Sequence, residues 1–557
     1  MSEERGGHAR GRQGLCAVGV VCLAAALRFW GIRWGLPNEL HSYSYHPDEF
    51  LLIGSALFVL THSVVPHFYN YPSLYIYLAA VAVLVGAGYG VVSTPLDPSL
   101  PGVYLAARVV TALMGVGAVV SVYWAGTALF DRAAALVAAA VLAVTPLHVQ
   151  HSHFATVDVP STLFVALCLG FAGLMLRRNA WRDCLAAGAV AGLAAGTKYN
   201  AGLILLAPAA AHFAREGWNV RSAVSGKLWA MTGCAAAAFL ISTPGAVVDY
   251  PAFAYGIGSE LRHSAEGHGL VFVATGSGPA YALTVSLWHG LGHTMVGWFL
   301  AGVIVAVLRR SRPALVVLAF VVPYFVLVSV SQVRFARYTL PMFPAAVLLC
   351  GWFAVELWRA LRQSRPSGLR WVWAVVFGAS LALTLANTLA LNRLFVVPDP
   401  RDRAARWIFA HVERGAGIGV PEVPWFYSPP YSPHIGFGTL PQRQEAFPAA
   451  SYHIVVFADC DRRSDWARAE PPEWVVLSDY ETDDALRVRG SPGVSGKAAL
   501  QARRIADDVA LVRELYRVEA VFANEMRLWG FRVGDTRELP HDMRYPSPTI
   551  TVYRLRR

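Results

Sequence analysis

The chain has 557 residues, 55% of them hydrophobic and only 15% charged, with a formal net charge of +11. Soluble domains run about 25% charged, so this composition excludes an ordinary soluble protein, and with a mean hydropathy of +0.43 it predicts a polytopic α-helical membrane protein. The positive charge is not a nucleic-acid footprint: apart from Lys198, Lys227 and Lys497 it is all arginine, set in short clusters between apolar segments, as in cytoplasmic loops.

A membrane span needs about 20 apolar residues, with about 17 as the lower bound. The basic N-terminus followed by the apolar run 14–31 reads as a retained first span, since no small-residue cleavage site precedes the next polar loop. Further spans are predicted over 104–129, 133–147, 160–176, 183–197, 200–214, 228–245, 291–308, 314–330, 338–357 and 371–391, about 11 in all. The run 73–93 is equally apolar, and charge decides its placement. The clusters Arg177-Arg178 with Arg182, Arg215 through Lys227, Arg309-Arg310 with Arg312, and Arg359 through Arg370 share the cytoplasmic side only if 73–93 does not cross. That run is therefore expected in the outer interface. The loops at 41–72, 148–159, 246–290 and 331–337 then face outward, as does the C-terminus. Most of the seven cysteines lie in apolar segments without paired spacing and read as core residues.

The first outer loop carries His41-Ser-Tyr-Ser-Tyr-His-Pro-Asp-Glu-Phe50, with Asp48 and Glu49 close to the first span. Charges at a membrane mouth are costly to desolvate, which marks them as functional candidates. The second loop holds His148, His151 and His153, then Asp158 ahead of Pro160. Asp158 can cap the next helix, or it can join Asp48 at one outward cavity as a general base or a group orienting an acceptor. Imidazoles and carboxylates suit zinc or manganese, which makes His46, His148, His151 and His153 weak metal candidates. Their spacing matches no established motif, and no cofactor is expected to be required.

The stretch Gly196-Thr-Lys-Tyr-Asn-Ala-Gly202 offers Lys198 and Tyr199, as a snorkelling lysine or as a phosphate site. The last outer loop offers Arg334, Arg337 and Tyr338. Outward arginines oppose the positive-inside trend, and their forked donors suit phosphate; the alternative is ion pairing with the outer carboxylates. The loop at 246–290, with Glu260, His263, Glu266 and His268, has the length of a functional lid, without a role assigned to single residues. Composition shifts at Pro398-Asp-Pro-Arg-Asp-Arg403, dividing a membrane domain over 1–395 from a soluble α/β domain over 396–557. A helix is expected over Arg403–Val412, with strands at Gly417–Pro421, Tyr452–Phe457, Trp474–Leu477, Val518–Phe522 and Thr549–Tyr553. This domain is expected to bind an acceptor or cover the site.

Taken together and in order, Pro47-Asp48-Glu49, Tyr71-Pro-Ser-Leu74, Asp158, Gly196-Thr-Lys-Tyr199 and Arg337-Tyr-x-x-Pro341 resemble the integral-membrane glycosyltransferases of the GT-C fold. The nearest groups are the protein O-mannosyltransferases and the aminoarabinose transferase of lipid A, and the resemblance covers about residues 10–395. It implies inverting transfer of a hexose or pentose from a polyprenyl-phosphate-linked donor to a glycan, lipid or protein acceptor on the non-cytoplasmic membrane face. By motif, Asp48, Glu49 and Asp158 would be catalytic, and Lys198, Tyr199, Arg334, Arg337 and Tyr338 would bind the donor phosphate. It also implies residence in the plasma (inner) membrane among its lipids, with an extracytoplasmic C-terminal domain and no nucleic-acid partner. The chain departs from the family in having Tyr71-Pro-Ser-Leu74 where His-Pro-Pro-Leu is common, and in the three histidines ahead of Asp158. The rival readings are a secondary transporter and a non-catalytic GT-C-like envelope assembly protein. Charges gathered at outer loops, the folded tail and the lack of a detectable internal repeat argue against the transporter.

Overall fold

The computed structural model describes residues 2–363, 368–436, 438–459, 465–468 and 470–556. Its membrane part opens with α1 (Ser2–Phe29), α2 (Glu49–Thr61), α3 (Leu74–Gly88), α4 (Pro101–Leu129), α5 (Arg132–Ala143), α6 (Pro146–His151), α7 (Asp158–Arg178), α8 (Trp181–Thr197) and α9 (Leu206–Glu216). Local signals account for the boundaries. Pro101 occupies the first turn of α4, where its missing N–H costs nothing. Asp131 caps α5 by accepting from the Ala133 and Ala134 amides, and Asn179 closes α7 in the left-handed conformation.

Among the described residues, six helices are long and apolar enough to cross a membrane: Pro101–Leu129, Asp158–Arg178, Val220–Ser242, Arg312–Val330, Ala336–Gln363 and Leu369–Arg393. The pair Gly278–Leu291 and His293–Leu308, bent by 118°, makes a seventh if taken as one span. The other four expected spans are shorter. Gly14–Phe29 and Arg132–Ala143 are short apolar helices, Trp181–Thr197 has 17 residues, and 200–214 divides into a 3-10 turn over Tyr199–Leu205 and the 11-residue α9.

The basic clusters meet at one end of the bundle. Arg359 pairs with Asp131 at 2.7 Å, Arg309 with Glu356 at 3.2 Å, and Arg177 donates to the Thr127 carbonyl at 2.8 Å. Glu216 accepts from Asn179 and lies 3.8 Å from Lys227. The outer-loop carboxylates lie at the opposite helix ends. Between them, α3 lies across the first turns of α4: the Tyr75 hydroxyl reaches Thr111 and the Ala107 carbonyl, while Gly86 at its far end packs near Ala106. Both ends of α3 thus meet the same stretch of α4, residues 106–111.

Close approach elsewhere depends on small residues. Gly188, Gly192 and Gly196 recur every four residues along α8 and face the helix Gly226–Ser242. A Cβ at any of the three would collide with the Met231 carbonyl, the Ala235 carbonyl or the Ser242 hydroxyl. Small-xxx-small stripes serve this purpose where lipid supplies no hydrophobic drive for helix association.

The C-terminal part follows the helix Leu369–Arg393 directly. Its strands are β1 (Gly417–Val420), β2 (His453–Val456), β3 (Trp474–Ser478), β4 (Tyr516–Phe522), β5 (Met526–Leu528), β6 (Phe531–Gly534) and β7 (Ile550–Leu555); β1, β2, β3, β4 and β7 lie close to the expected positions, and the short pair β5–β6 was not expected. The main sheet runs β2-β1-β3-β7-β4, parallel on the β1 side and antiparallel where β7 pairs with β3 and β4. The helices Asp479–Arg489 and Gly496–Leu515 pack one face through Ala485, Val488, Val509 and Val512. The domain is seated on the carboxylate end of the bundle: the Trp34 indole donates to Asp399 at 3.1 Å, Ser42 donates to the Pro433 carbonyl, and Arg487 donates to the Leu270 and Val271 carbonyls.

Gly192→Leu is expected to force α8 off its neighbour, an overpacking cost of about 1–3 kcal/mol or more. The check is a lowered thermal unfolding midpoint in detergent, with Gly233→Leu, where a Cβ meets open space, as the tolerated control.

Candidate active site

Asp48 and Glu49 are adjacent in sequence and diverge in space. Glu49 opens α2, is fully buried, and meets Arg108 of α4 through two 2.7 Å bonds. Its oxygens also accept the Ala155 amide at 2.5 Å and the Ser44 hydroxyl. Arg108 spends its remaining donors on the Ile32 and Trp34 carbonyls. Every polar atom of this pair is occupied, so Glu49 ties the first loop to α4 and to the second loop and presents no free oxygen to a ligand. This differs from its expected catalytic role, because the Arg108 guanidinium claims both of its oxygens.

Asp48 stands at the N-cap position of α2 without a side-chain capping bond. Its carboxylate turns to a cavity instead, 3.0 Å from Arg337 and 3.4 Å from the Tyr71 hydroxyl. Arg337 lies 4.1 Å from the Phe335 ring and donates to the Tyr545 hydroxyl at 2.9 Å. Its backbone amide and that of Ala336 donate to Asp542 at 2.8 and 3.0 Å. Two residues of the terminal domain thus hold the turn that carries Arg337.

Asp158 is the first residue of α7, and Val157 takes the N-cap position, so the capping role weighed for Asp158 is absent. Its carboxylate meets Lys198 at 2.5 Å, and the ammonium lies 4.9 Å from the Tyr338 ring centre. Tyr199 donates to the Tyr69 carbonyl at 2.9 Å. Arg334 stands apart: its guanidinium donates to Thr275 at 3.0 Å and to the Gly276 carbonyl at 2.7 Å. The 3-10 turn begins only at Ala336, so the three-residue spacing does not put Arg334 and Arg337 on one face.

Two adjoining cavities organise these groups. A chamber of about 360 Å³ is lined by Asp48, Tyr71, Glu260, His263, Arg337 and Tyr338 from the membrane part and by Trp425, Phe426, His541 and Tyr545 from the terminal domain. A groove of about 400 Å³ is lined by Lys198, Tyr199, Ile257, Leu261, Leu327 and Val328, and shares Tyr71, Glu260, His263 and Tyr338 with the chamber. Asp48 and Arg337 therefore belong to the chamber, Lys198 and Tyr199 to the groove, and Tyr338 to both.

The four histidines weighed as metal ligands are dispersed. His148 pairs with Arg28 and Thr162, both at 2.9 Å, and His153 with the Trp30 and Val149 carbonyls. The His46 and His151 rings stand edge to face, 6.2 Å apart. Among the described residues, no three His, Cys, Asp or Glu side chains form a metal-holding group. Burial keeps the imidazoles of the site neutral: it pushes His151 down to about 3, His268 to about 4, and His46 and His541 well below the usual range. Asp542 is pushed the opposite way by burial.

Several residues of the site escaped the sequence reading. Arg108 lies inside an apolar run, a signal in itself. Glu260 and His263, named from the sequence but without a role, lie three apart on the helix Tyr250–Glu266 and share a face toward both cavities. His541, Asp542 and Tyr545 carried no local signal, since only domain docking brings them near Arg337.

Residues 102–247 match the family model described as dolichyl-phosphate-mannose-protein mannosyltransferase. Among curated proteins, none matches the sequence of this chain. The chain is similar to the crystal structure of ArnT from Cupriavidus metallidurans bound to undecaprenyl phosphate, with 15% identity, 96% of this chain and 97% of that chain covered, and a TM-score of 0.53. The same protein in the apo state gives 16% identity, 98% coverage of both chains and a TM-score of 0.51. The apo oligosaccharyltransferase of Archaeoglobus fulgidus covers 94% of this chain and 75% of its own at 14% identity, with a TM-score of 0.47.

Two outcomes are expected. Glu49→Gln leaves Arg108 buried and uncompensated, a loss of about 3–5 kcal/mol that Glu49→Gln with Arg108→Met partly restores, read by thermal unfolding. The second concerns pH. His268 binds its proton only near pH 4 when folded and near 6.5 when unfolded, so the unfolded state gains protons first and stability falls as pH drops from 6.5 to 4. His268→Gln is expected to flatten that slope without changing the midpoint above pH 7.

In fold, then, this chain is a GT-C-type multi-helix protein with a C-terminal sheet domain, built like the crystallised ArnT.

Proposed function

We propose that the chain transfers a hexose or pentose from a polyprenyl-phosphate-linked donor to an acceptor hydroxyl, with inversion, on the non-cytoplasmic face of the plasma membrane. One observation carries this reading: an apolar groove headed by the Lys198 ammonium opens into a chamber that holds the Asp48 carboxylate against Arg337. The match to a dolichyl-phosphate-mannose transferase model, and the fold shared with a protein crystallised with undecaprenyl phosphate, support the same class of donor.

The groove walls Ile257, Leu261, Leu327 and Val328 suit a polyprenyl chain, and Lys198 and Tyr199 suit the phosphate at its head. The sugar then projects into the chamber beside Tyr338. Asp48 takes the proton of the acceptor hydroxyl as its oxygen bonds to the anomeric carbon, and the bond from that carbon to the phosphate oxygen breaks. The electron pair leaves with the phosphate, whose added negative charge Lys198 and Arg337 stabilise. Attack opposite the leaving group inverts the centre. Asp158 holds Lys198 in place, and Glu49 holds the loop that carries Asp48. The basic clusters at the far end of the bundle fit a cytoplasmic side there, which supports an outward position for both cavities and the terminal domain.

Asp48→Asn is expected to lower transfer about 10²–10⁴-fold, the range for a general base, with donor binding retained. Transfer by Asp48→Asn at the parental rate would overturn the reading in favour of a scaffold or transporter.

A further inference from the structure

A third cavity, of about 240 Å³, adjoins the chamber and shares Pro47, Leu51, Trp425 and Phe426 with it. An occupant of this cavity lies beside Asp48. Its remaining walls include Tyr43 and Phe50 from the first outer loop, and one cation, Arg443 from the terminal domain. Binding sites of this kind, largely aromatic with few placed polar groups, take ligands that have both an apolar face and a specific polar group. A sugar ring has such a face.

Arg443 is 8% exposed. Its Nη1 donates to the Val423 and Pro424 carbonyls at 3.2 and 3.0 Å, and its guanidinium lies 4.7 Å from the Trp425 ring centre. Its Nε is buried without a hydrogen-bond partner among the described residues, as is Nε2 of His46 in the same cavity. Other buried arginines face carboxylates: Arg108 meets Glu49, Arg337 meets Asp48, and Arg401 meets Asp399. Arg28 is the exception: it donates to three backbone carbonyls and faces His148, and its Nε too is buried without a partner among the described residues. Arg443 has two backbone carbonyls and the Trp425 face but no carboxylate partner among the described residues, and it lines a cavity. Burial lowers its proton affinity, and the carboxyl of Glu422 near it is itself pushed toward the neutral form. A buried cation left in this state is costly unless an anion completes it.

We infer that this cavity is an acceptor subsite for an acidic saccharide, whose carboxylate or phosphate pairs with Arg443 while its ring seats against Trp425 and Phe426. The word acceptor rests on the proposed transferase reading; the anion site does not. The subsite spans the membrane loop and the terminal domain, so acceptor selection requires that domain to be docked.

The test uses the full chain in nanodiscs, with tryptophan fluorescence reporting binding of methyl β-glucuronide, glucose 1-phosphate and neutral methyl β-glucoside. At least one anionic probe is expected to bind 10-fold or more tighter than the neutral one, and whichever anion binds tighter identifies carboxylate or phosphate as the natural group. Arg443→Gln is expected to abolish that preference, Arg443→Lys to keep part of it, and Trp425→Leu to weaken charged and neutral probes alike. Equal affinity for charged and neutral probes in the parent chain overturns the inference without recourse to any variant. So does an anion preference that survives Arg443→Gln. Retained anion binding beside undiminished transfer by Asp48→Asn would keep the anion site and remove its acceptor role, which separates the two failures.

Discussion

The buried Glu49–Arg108 pair is the interaction on which the rest of the site depends. Arg108 sits within an apolar helix and could not remain charged there without a partner, and Glu49 could not be buried without Arg108. Because the guanidinium also takes the Ile32 and Trp34 carbonyls, and Glu49 takes the Ala155 amide, one ion pair fastens four segments. Asp48, the next residue, is left pointing the other way. Adjacent carboxylates thus divide their work: one is consumed in holding the loop, the other is left to face a cavity.

The two cation–carboxylate pairs that do face the cavities differ from this one in their surroundings. Asp48 keeps 18% of its side chain exposed, and its carboxylate meets Arg337 and Tyr71. Asp158 and Lys198 are more enclosed, but they border a groove that runs out between apolar helices. Such pairs keep part of their hydrogen-bonding capacity turned to a cavity, which a fully saturated pair does not.

The terminal domain is part of the site and not an appendage. Asp542 holds the backbone of the Arg337 turn, Tyr545 holds its guanidinium, and Trp425, Phe426 and His541 wall the chamber. The physical consequence is coupling. Loss of docking would release Arg337 as well as open the chamber, so the state of this domain bears on the chemistry of a site whose charges come from the membrane part.

Some of this was legible in the sequence by itself. Hydropathy and the deficit of charge determined a fold built of apolar helices, and the arginine clusters marked helix ends that the structure gathers at one end of the bundle. The acidic and basic outer-loop residues marked the site, because charge at a membrane boundary is expensive and is kept only where it is used. What only the tertiary structure decided was the partner of each charge. Nothing local distinguishes Glu49 from Asp48, or Arg334 from Arg337; the difference lies in Arg108, 59 positions from Glu49, and in Asp542 and Tyr545, more than 200 from Arg337. Periodicity and hydropathy report which face of an element is buried, but an ion pair is chosen by which elements pack together, and that is fixed by the close approach of helices and the docking of the terminal domain.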